Sequence, residues 1–173
     1  MLILKCTQKA AKELGKTRSA LSQISPDDNE TLLGDWFVNP LRFGYTKILL
    51  FTNAPTLYSI LIEYKKKDLV DVGRLFRSHL KFNLLQEGIA GEKIESILAE
   101  YNEVVLAKTD SRSVLGSMND LAWLYECHIK MDGGITAVDL GQAIRKVNRT
   151  PQLTRGGKYS IKLMKGRIGT IGN

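Results

Sequence analysis

The sequence predicts an α+β fold, in which an antiparallel sheet of about four to six strands packs against about four helices. Two observations lead to this prediction. Three apolar segments between residues 35 and 64 follow one another with only short turns between them, as in an antiparallel meander. From residue 69 to residue 147, apolar residues recur instead at intervals of three and four positions, which is the spacing of one-sided helices.

The N-terminal segment predicts a strand followed by a short helix. Residues 1–6 have the apolar density of a buried strand. Thr7 is placed to cap a helix over residues 8–14, and Gly15 would end it. The composition becomes polar over residues 16–30, where we expect the least ordered part of the domain.

Three strands are predicted next. Residues 35–41 form the first, and Pro40 indicates either an edge strand or the end of a strand. Residues 46–52 contain an apolar run typical of a buried strand, and residues 56–64 follow after a turn at Pro55. Strands joined by such short turns are expected to pair antiparallel.

Two helices and another strand follow the meander. Apolar spacing predicts one helix over residues 69–84, ended by Gly88, and a second helix over residues 92–101. Residues 104–107 indicate a further buried strand.

Two further helices are predicted after this strand. A third helix covers residues 115–129, and the spacing of Ser117 and Asp120 is that of a capping box. Thr136 and Asp139 have the same spacing and open a fourth helix.

Alternating apolar residues predict a final strand over residues 159–164. We therefore expect a single α+β domain over residues 1–164 and a flexible, basic, Gly-rich tail over residues 165–173.

The composition is that of one folded domain. With 173 residues, of which 43% are hydrophobic and 25% charged, the chain has little room for two separate cores. No apolar segment approaches the roughly 18 residues of a membrane span, and the apolar start of the chain is too short for a signal peptide. We therefore expect a cytoplasmic protein without membrane contact.

The cysteines and histidines indicate neither a disulfide framework nor a metal site. Cys6 and Cys127 are expected to be buried, reduced thiols. A closed zinc site would require both of them to converge with His79 and His128. We expect no metal, and no motif implies a cofactor.

The positive charge is concentrated at the C-terminal end. The chain has a net charge of +7, and residues 145–173 contain eight Lys and Arg residues but no Asp or Glu. This segment favours a polyanionic partner, either nucleic acid or an acidic protein. The alternative is a solvated tail that keeps the protein soluble. No oligomeric state follows from the sequence.

The densest polar segment spans residues 108–120, between a predicted strand and a predicted helix. Backbone N–H groups and an arginine at such a place suit a phosphate or carboxylate. The candidate binding residues in it are Arg112, Ser113, Ser117, Asn119 and Asp120. The same residues also suit a turn and a helix cap. The segment has the spacing of neither a Walker A loop nor a nucleophile elbow.

Four further residues are candidates outside this segment. Asn148 and Arg149 are suitable donors to phosphate oxygens, although they also suit the end of a helix. Trp36 and an asparagine of the same strand could line a binding surface, but a tryptophan in a strand more often lies in the core. Asp35 is a candidate for an enzymatic pocket that would also contain Arg112, Ser117, Asn119, Asp120 and Arg149.

Four segments, over residues 33–36, 50–53, 112–120 and 148–151, resemble an uncharacterised bacterial family. The second of them adds Asn53 to the candidate binding residues. The family is a domain of unknown function of about this size. Similar segments occur in larger proteins encoded on plasmids and transposons. The resemblance covers most of residues 1–164 and implies a regulatory, antitoxin-like or defence-related role.

Three functions remain open at this point. The first is a non-enzymatic binding domain that engages nucleic acid or another polyanion through residues 145–173 and Arg112. The second is a hydrolase or nuclease-like enzyme with a pocket around residues 112–120 and Arg149. The third is a protein-interaction module of a mobile-element or defence system. For the pocket to exist, Arg112, Asn119 and Asp120 must lie close to Asn148 or Arg149, and we predict that they do.

Overall fold

A computed structural model describes residues 1–25 and 30–171, and a five-stranded sheet with helices on both faces runs through it. The strands are β1 (Leu2–Cys6), β2 (Trp36–Phe43), β3 (Thr46–Asn53), β4 (Ser59–Glu63) and β5 (Val104–Lys108), with a separate hairpin of β6 (Pro151–Gln152) and β7 (Lys158–Tyr159). The helices are α1 (Gln8–Glu13), α2 (Val72–Gln86), α3 (Gly91–Ala99), α4 (Arg112–Met131), α5 (Leu140–Val147) and α6 (Ser160–Gly169). Short 3₁₀ turns occupy Arg18–Ala20, Lys66–Asp71 and Leu153–Arg155.

The α+β fold class is confirmed, but the sheet is mixed. Its strand order is β4-β3-β2-β1-β5. The predicted meander is confirmed, since β2, β3 and β4 pair antiparallel. By contrast, β1 pairs parallel with both β2 and β5. Parallel pairs need long crossover connections, and the apolar pattern of a strand does not reveal which strand it pairs with.

The sheet is covered on both faces by helices. On one face, the rings of Trp36 and Phe51 lie 4.9 and 4.8 Å from the ring of Phe76 in α2. On the other face, the hydroxyl of Tyr125 in α4 lies 2.9 Å from that of Ser59. Every residue of β1, the strand between β2 and β5, is buried. A strand that is covered on both faces typically has a nearly continuous run of apolar residues, as β1 does.

The predicted elements up to β5 are confirmed, with small shifts of their bounds, although β5, predicted to be buried, is mostly half-buried. Thr7 caps α1 by accepting a hydrogen bond from the backbone N–H of Ala10 (3.2 Å). Beyond α1, Gly15 adopts a φ of +66°, as a residue that ends a helix often does. The helix predicted from residue 69 begins at Val72, because residues 66–71 form a 3₁₀ turn.

Both predicted capping boxes are wrong. Helix α4 begins at Arg112, since the side chain of Ser111 accepts the hydrogen bond from the N–H of Val114 (3.3 Å). Helix α5 is capped by Asp139 instead of Thr136. A cap lies where the extended backbone turns helical, and the spacing of Ser or Thr and Asp does not locate that point.

The strand predicted over residues 159–164 is also wrong, since β7 ends at Tyr159 and α6 begins at Ser160. Ile161, Met164 and Ile168 are buried at helical spacing. Residues 165–169, predicted to be flexible, continue this helix. Residues 172–173 of the predicted tail lie outside the described residues. The same holds for residues 26–29 of the polar segment over residues 16–30.

Among the helices of residues 1–25 and 30–171, none is both long enough and apolar enough to cross a membrane.

We expect Ser111→Ala to lower the free energy of unfolding by about 1 kcal/mol, because it removes the cap of α4. Urea denaturation measures this change. Ser113→Ala is the matched control, since Ser113 is exposed in the first turn of the same helix. Equal losses in the two variants would contradict the assignment of Ser111 as the cap.

Candidate functional site

Lys5 is a fully buried cation on β1. Its ammonium donates hydrogen bonds to Oδ2 of Asp110 (2.5 Å) and to the carbonyl of Ile24 (2.7 Å). It also lies 3.3 Å from Oδ2 of Asp35. The three N–H groups of the ammonium therefore have three oxygen neighbours. Burying this charge without such partners would be very costly.

This cluster holds distant parts of the chain together. Asp35 directly precedes β2, and Asp110 lies in the loop between β5 and α4. Ile24 belongs to a segment that runs beside β5, where the N–H of Ser22 donates to the carbonyl of Leu106 (3.0 Å). Asp35 was a candidate binding residue, but its carboxylate is buried against Lys5 and serves the fold.

Trp36 and Asn53 lie in the core. Both are 0% exposed. The indole N–H of Trp36 donates to the hydroxyl of Tyr101 (3.0 Å). The Asn53 amide donates to the carbonyl of Leu33 (2.8 Å) and accepts from the hydroxyl of Thr56 (2.7 Å). Their polar groups are therefore satisfied within the protein, away from the surface.

Asn148 completes the edge of the sheet. Its side-chain oxygen accepts from the backbone N–H of Ser59 (2.8 Å), and its side-chain nitrogen donates to the Ser59 carbonyl (2.7 Å). The amide thus takes the place of a neighbouring strand beside β4. A buried strand edge needs such a partner, because unpaired backbone groups are costly.

Arg149 forms an ion pair with the end of α2. Its two terminal nitrogens lie 3.0 and 2.5 Å from the two carboxylate oxygens of Glu87. The Glu87 side chain is only 1% exposed. Hydrogen bonding to this carboxylate raises the pKa of the Arg149 guanidinium. Arg149 therefore neutralises a buried acid.

The remaining candidates lie on α4. Ser117 is buried, and its hydroxyl lies 3.1 Å from that of Thr154. The other candidates are exposed, and their side chains form no hydrogen bond or ion pair with any described residue: Arg112, Ser113, Asn119 and Asp120.

The predicted pocket uniting Arg112 with Asn148 and Arg149 does not form. Arg112 follows β5 at one edge of the sheet, whereas Asn148 is bonded to β4 at the other edge. Four strand-to-strand spacings separate these edges, a distance of roughly 19 Å. The prediction that Arg112 lies close to Asn148 is therefore wrong, whereas the proximity of Asn119 and Asp120 to Asn148 or Arg149 stays a prediction.

The sequence reasoning missed Lys5, Asp110 and Glu87. A signal existed for Lys5, since it is a lysine inside an otherwise apolar strand, and a charge buried in this way requires an anionic partner. Glu87 gave no such signal, because its partner lies 62 positions away in the chain.

Four of the eight basic residues in 145–173 are engaged in contacts with the body of the protein. Lys146 pairs with Asp132 and Arg149 with Glu87. Arg155 donates to the carbonyl groups of Ala54 and Pro55, and Arg167 donates to that of Leu32. These contacts attach the basic segment to the folded domain.

Lys158, Lys162 and Lys165 form, together with Tyr159, what we call the basic surface. All three lysines are exposed, and none of their side chains has a hydrogen bond or an ion pair with a described residue. Lys162 and Lys165 are three positions apart on α6 and share a helix face. The Lys162 ammonium lies 5.1 Å from the centre of the Tyr159 ring.

A tight turn presents this surface. Gly156 and Gly157 have φ values of +64° and +72°, which side-chain-bearing residues rarely adopt. They return the chain from β6 to β7, directly before α6. The turn therefore brings Lys158 and Tyr159 to the start of the helix that carries the other two lysines.

The two cysteines are free and differ in their exposure. Burial raises the pKa of the Cys6 thiol to about 12, so it is protonated at neutral pH. Cys6 and the half-buried Cys127 are both free. Within the part of the chain that the structure describes, no three His, Cys, Asp or Glu residues are grouped as metal ligands.

Comparison with known proteins identifies a family of uncharacterised domains. A family model described as a domain of unknown function (DUF6933) matches residues 3–163. No curated protein and no solved structure matches the chain.

We expect Lys5→Met to lower the free energy of unfolding by about 3–5 kcal/mol, because it leaves two carboxylates without their shared cation. Chemical denaturation measures the loss. Lys9→Met is the matched control, since Lys9 is exposed on α1. If both variants unfold at the denaturant concentration of the wild type, Lys5 does not stabilise the sheet in the way described.

Proposed function

The chain belongs to the DUF6933 family of domains of unknown function, and we propose that it binds nucleic acid through its basic surface without catalysing a reaction. The proposal rests on the exposure of Lys158, Lys162 and Lys165 and on their lack of an anionic partner among the described residues. They are also close in the chain. Other basic residues of the same segment are engaged in contacts with the domain.

The chemistry of the basic surface suits a phosphate backbone. Each lysine is a compact cation that can neutralise one phosphate and release its counterion. No Asp or Glu occurs in residues 145–173 to repel the strand. Tyr159 is 36% exposed and offers a ring on which a base of a single strand can stack.

We propose that Arg112, at the start of α4, supplies a further cation to the bound strand. The hydrogen bond between Ser117 and Thr154 joins α4 to the turn that precedes β7. Arg112 lies five positions before Ser117 on the helix, or about 8 Å along its axis. It is exposed and free to contact a further phosphate.

Binding of this kind depends on charge more than on base sequence. Lysines contact phosphates as point charges and carry little sequence information. We therefore expect similar affinities for strands of different sequence, with strong dependence on salt.

The geometry gives less support to the two other functions. Arg112 and Asn148 lie at opposite edges of the sheet, and the hydrolase candidate Arg149 is paired with Glu87. A protein partner that adds a strand needs an open sheet edge. Asn148 occupies the edge of β4 at Ser59, and Ser22 pairs with the outer side of β5.

The proposal includes the setting that the family resemblance implies. We propose a bacterial, cytoplasmic protein that acts within a plasmid- or transposon-encoded system, with an acidic protein as the alternative partner. Pull-downs from the native host, with and without nuclease, test this setting. Loss of the captured partners after nuclease treatment supports nucleic acid, whereas their retention supports an acidic protein.

We expect single-stranded RNA or DNA to bind with a dissociation constant in the micromolar range at about 50 mM salt, and to weaken as salt rises. Replacing Lys158, Lys162 and Lys165 together by Gln should reduce the slope of log affinity against log salt by about 2, since each phosphate contact on a single strand contributes about 0.7. Filter binding or fluorescence anisotropy over a salt series measures both quantities.

The matched control replaces Lys9, Lys12 and Lys16 by Gln. These three lysines are also exposed, but they belong to α1 and the residues after it. The control should retain the slope of the wild-type protein. Equal reductions in the two triple variants would show that net charge alone governs binding, and absence of binding at low salt would overturn the proposal.

A further inference from the structure

A cleft lies beyond the ends of β1 and β5, separate from the basic surface. Its larger part has a volume of about 430 Å³ and is lined by Arg18, Gln23, Ile24, Lys108, Thr109 and Asp110. A smaller part of about 110 Å³ has Arg18, Lys108 and Thr109 in common with it, and adds Cys6, Gln8 and Leu21. The shared residues make these two parts compartments of one cleft.

The topology of the sheet explains why a cleft opens here. After β1, the chain enters α1, and Glu13 at the end of α1 contacts Arg42 of β2. Arg42 lies six positions after Trp36, so the two side chains are on the same face of the sheet. Helix α1 therefore packs on the face that carries Trp36. The chain leaves β5 into α4, which packs on the opposite face through Tyr125 and Ser59. Where connections from adjacent parallel strands leave on opposite faces, a crevice forms at the carboxyl ends of the strands and commonly holds a ligand.

The cleft has two cations without partners. Arg18 is exposed and Lys108 is half-buried, and neither side chain makes a hydrogen bond or an ion pair with a described residue. Both line the smaller compartment, which no carboxylate lines. Two positive charges facing one small space match a doubly charged anion.

The larger compartment has different chemistry. Gln23 offers a donor and an acceptor, and Asp110 offers carboxylate oxygens. Asp110 shares the positive charge of Lys5 with Asp35, and Lys5 also binds the Ile24 carbonyl. Lys5 therefore holds the two walls of this compartment at a fixed separation, and a preorganised site binds with less loss of entropy.

We propose that this cleft binds a small phosphorylated molecule. The phosphoryl group occupies the smaller compartment, between Arg18 and Lys108. A hydroxylated body occupies the larger compartment, where the Gln23 amide donates and accepts hydrogen bonds and the Asp110 carboxylate accepts them from its hydroxyl groups. A phosphate monoester is close to doubly charged at neutral pH and can accept hydrogen bonds from both cations.

Calorimetric titration with inorganic phosphate and with ribose 5-phosphate tests the proposal. We expect ribose 5-phosphate to bind with a dissociation constant of about 1 mM or lower. It should bind more tightly than inorganic phosphate. Arg18→Gln and Lys108→Gln should each weaken binding about tenfold, because each removes one charge-assisted contact. Lys12→Gln, which removes an exposed cation outside the cleft, should have no effect.

Backbone amide resonances locate the ligand independently. Ribose 5-phosphate should shift the signals of Gln23, Lys108 and Thr109. Replacement of the three lysines of the basic surface should leave this titration unchanged, so failure of the cleft and failure of nucleic-acid binding are distinguishable. Absence of binding at about 10 mM ligand, or equal weakening by Lys12→Gln, would overturn the proposal.

Discussion

The buried ammonium of Lys5 is the constraint around which the sheet is arranged. A lysine enclosed on both faces of a central strand is tolerated only where anionic and carbonyl oxygens surround it. Asp35, Asp110 and the Ile24 carbonyl supply those oxygens from three separate segments. The start of β2, the loop after β5 and the segment beside β5 must therefore meet at one point of β1.

Several polar side chains that look like ligand-binding residues instead form hydrogen bonds with buried backbone groups. Asn53 and Asn148 have the chemistry of ligand-binding residues, yet each bonds to backbone groups that would otherwise be buried without partners. Arg155 does the same for the carbonyl groups of Ala54 and Pro55. Leaving such a group unsatisfied costs about 1–3 kcal/mol, so these contacts have a structural explanation that requires no ligand.

The cations of the two sites that we propose lie in surroundings of different shape. Those of the basic surface project from a hairpin and a helix, where a long, flexible anion can lie across them. Arg18 and Lys108 face a concave space of limited volume, which suits a small anion. The shape of each site, more than its charge, separates a polymer from a small molecule as the ligand we propose for it.

The sequence by itself determined the fold class, the meander and the approximate bounds of most helices, because these depend on local periodicity and turn residues. It also located the basic segment. Tertiary structure decided that β1 is parallel to its neighbours, that residues 160–169 are helical, and that Arg112 and Asn148 lie at opposite edges of the sheet. Those outcomes depend on contacts between residues far apart in the chain, such as the 105 positions between Lys5 and Asp110, and no local pattern encodes such a contact.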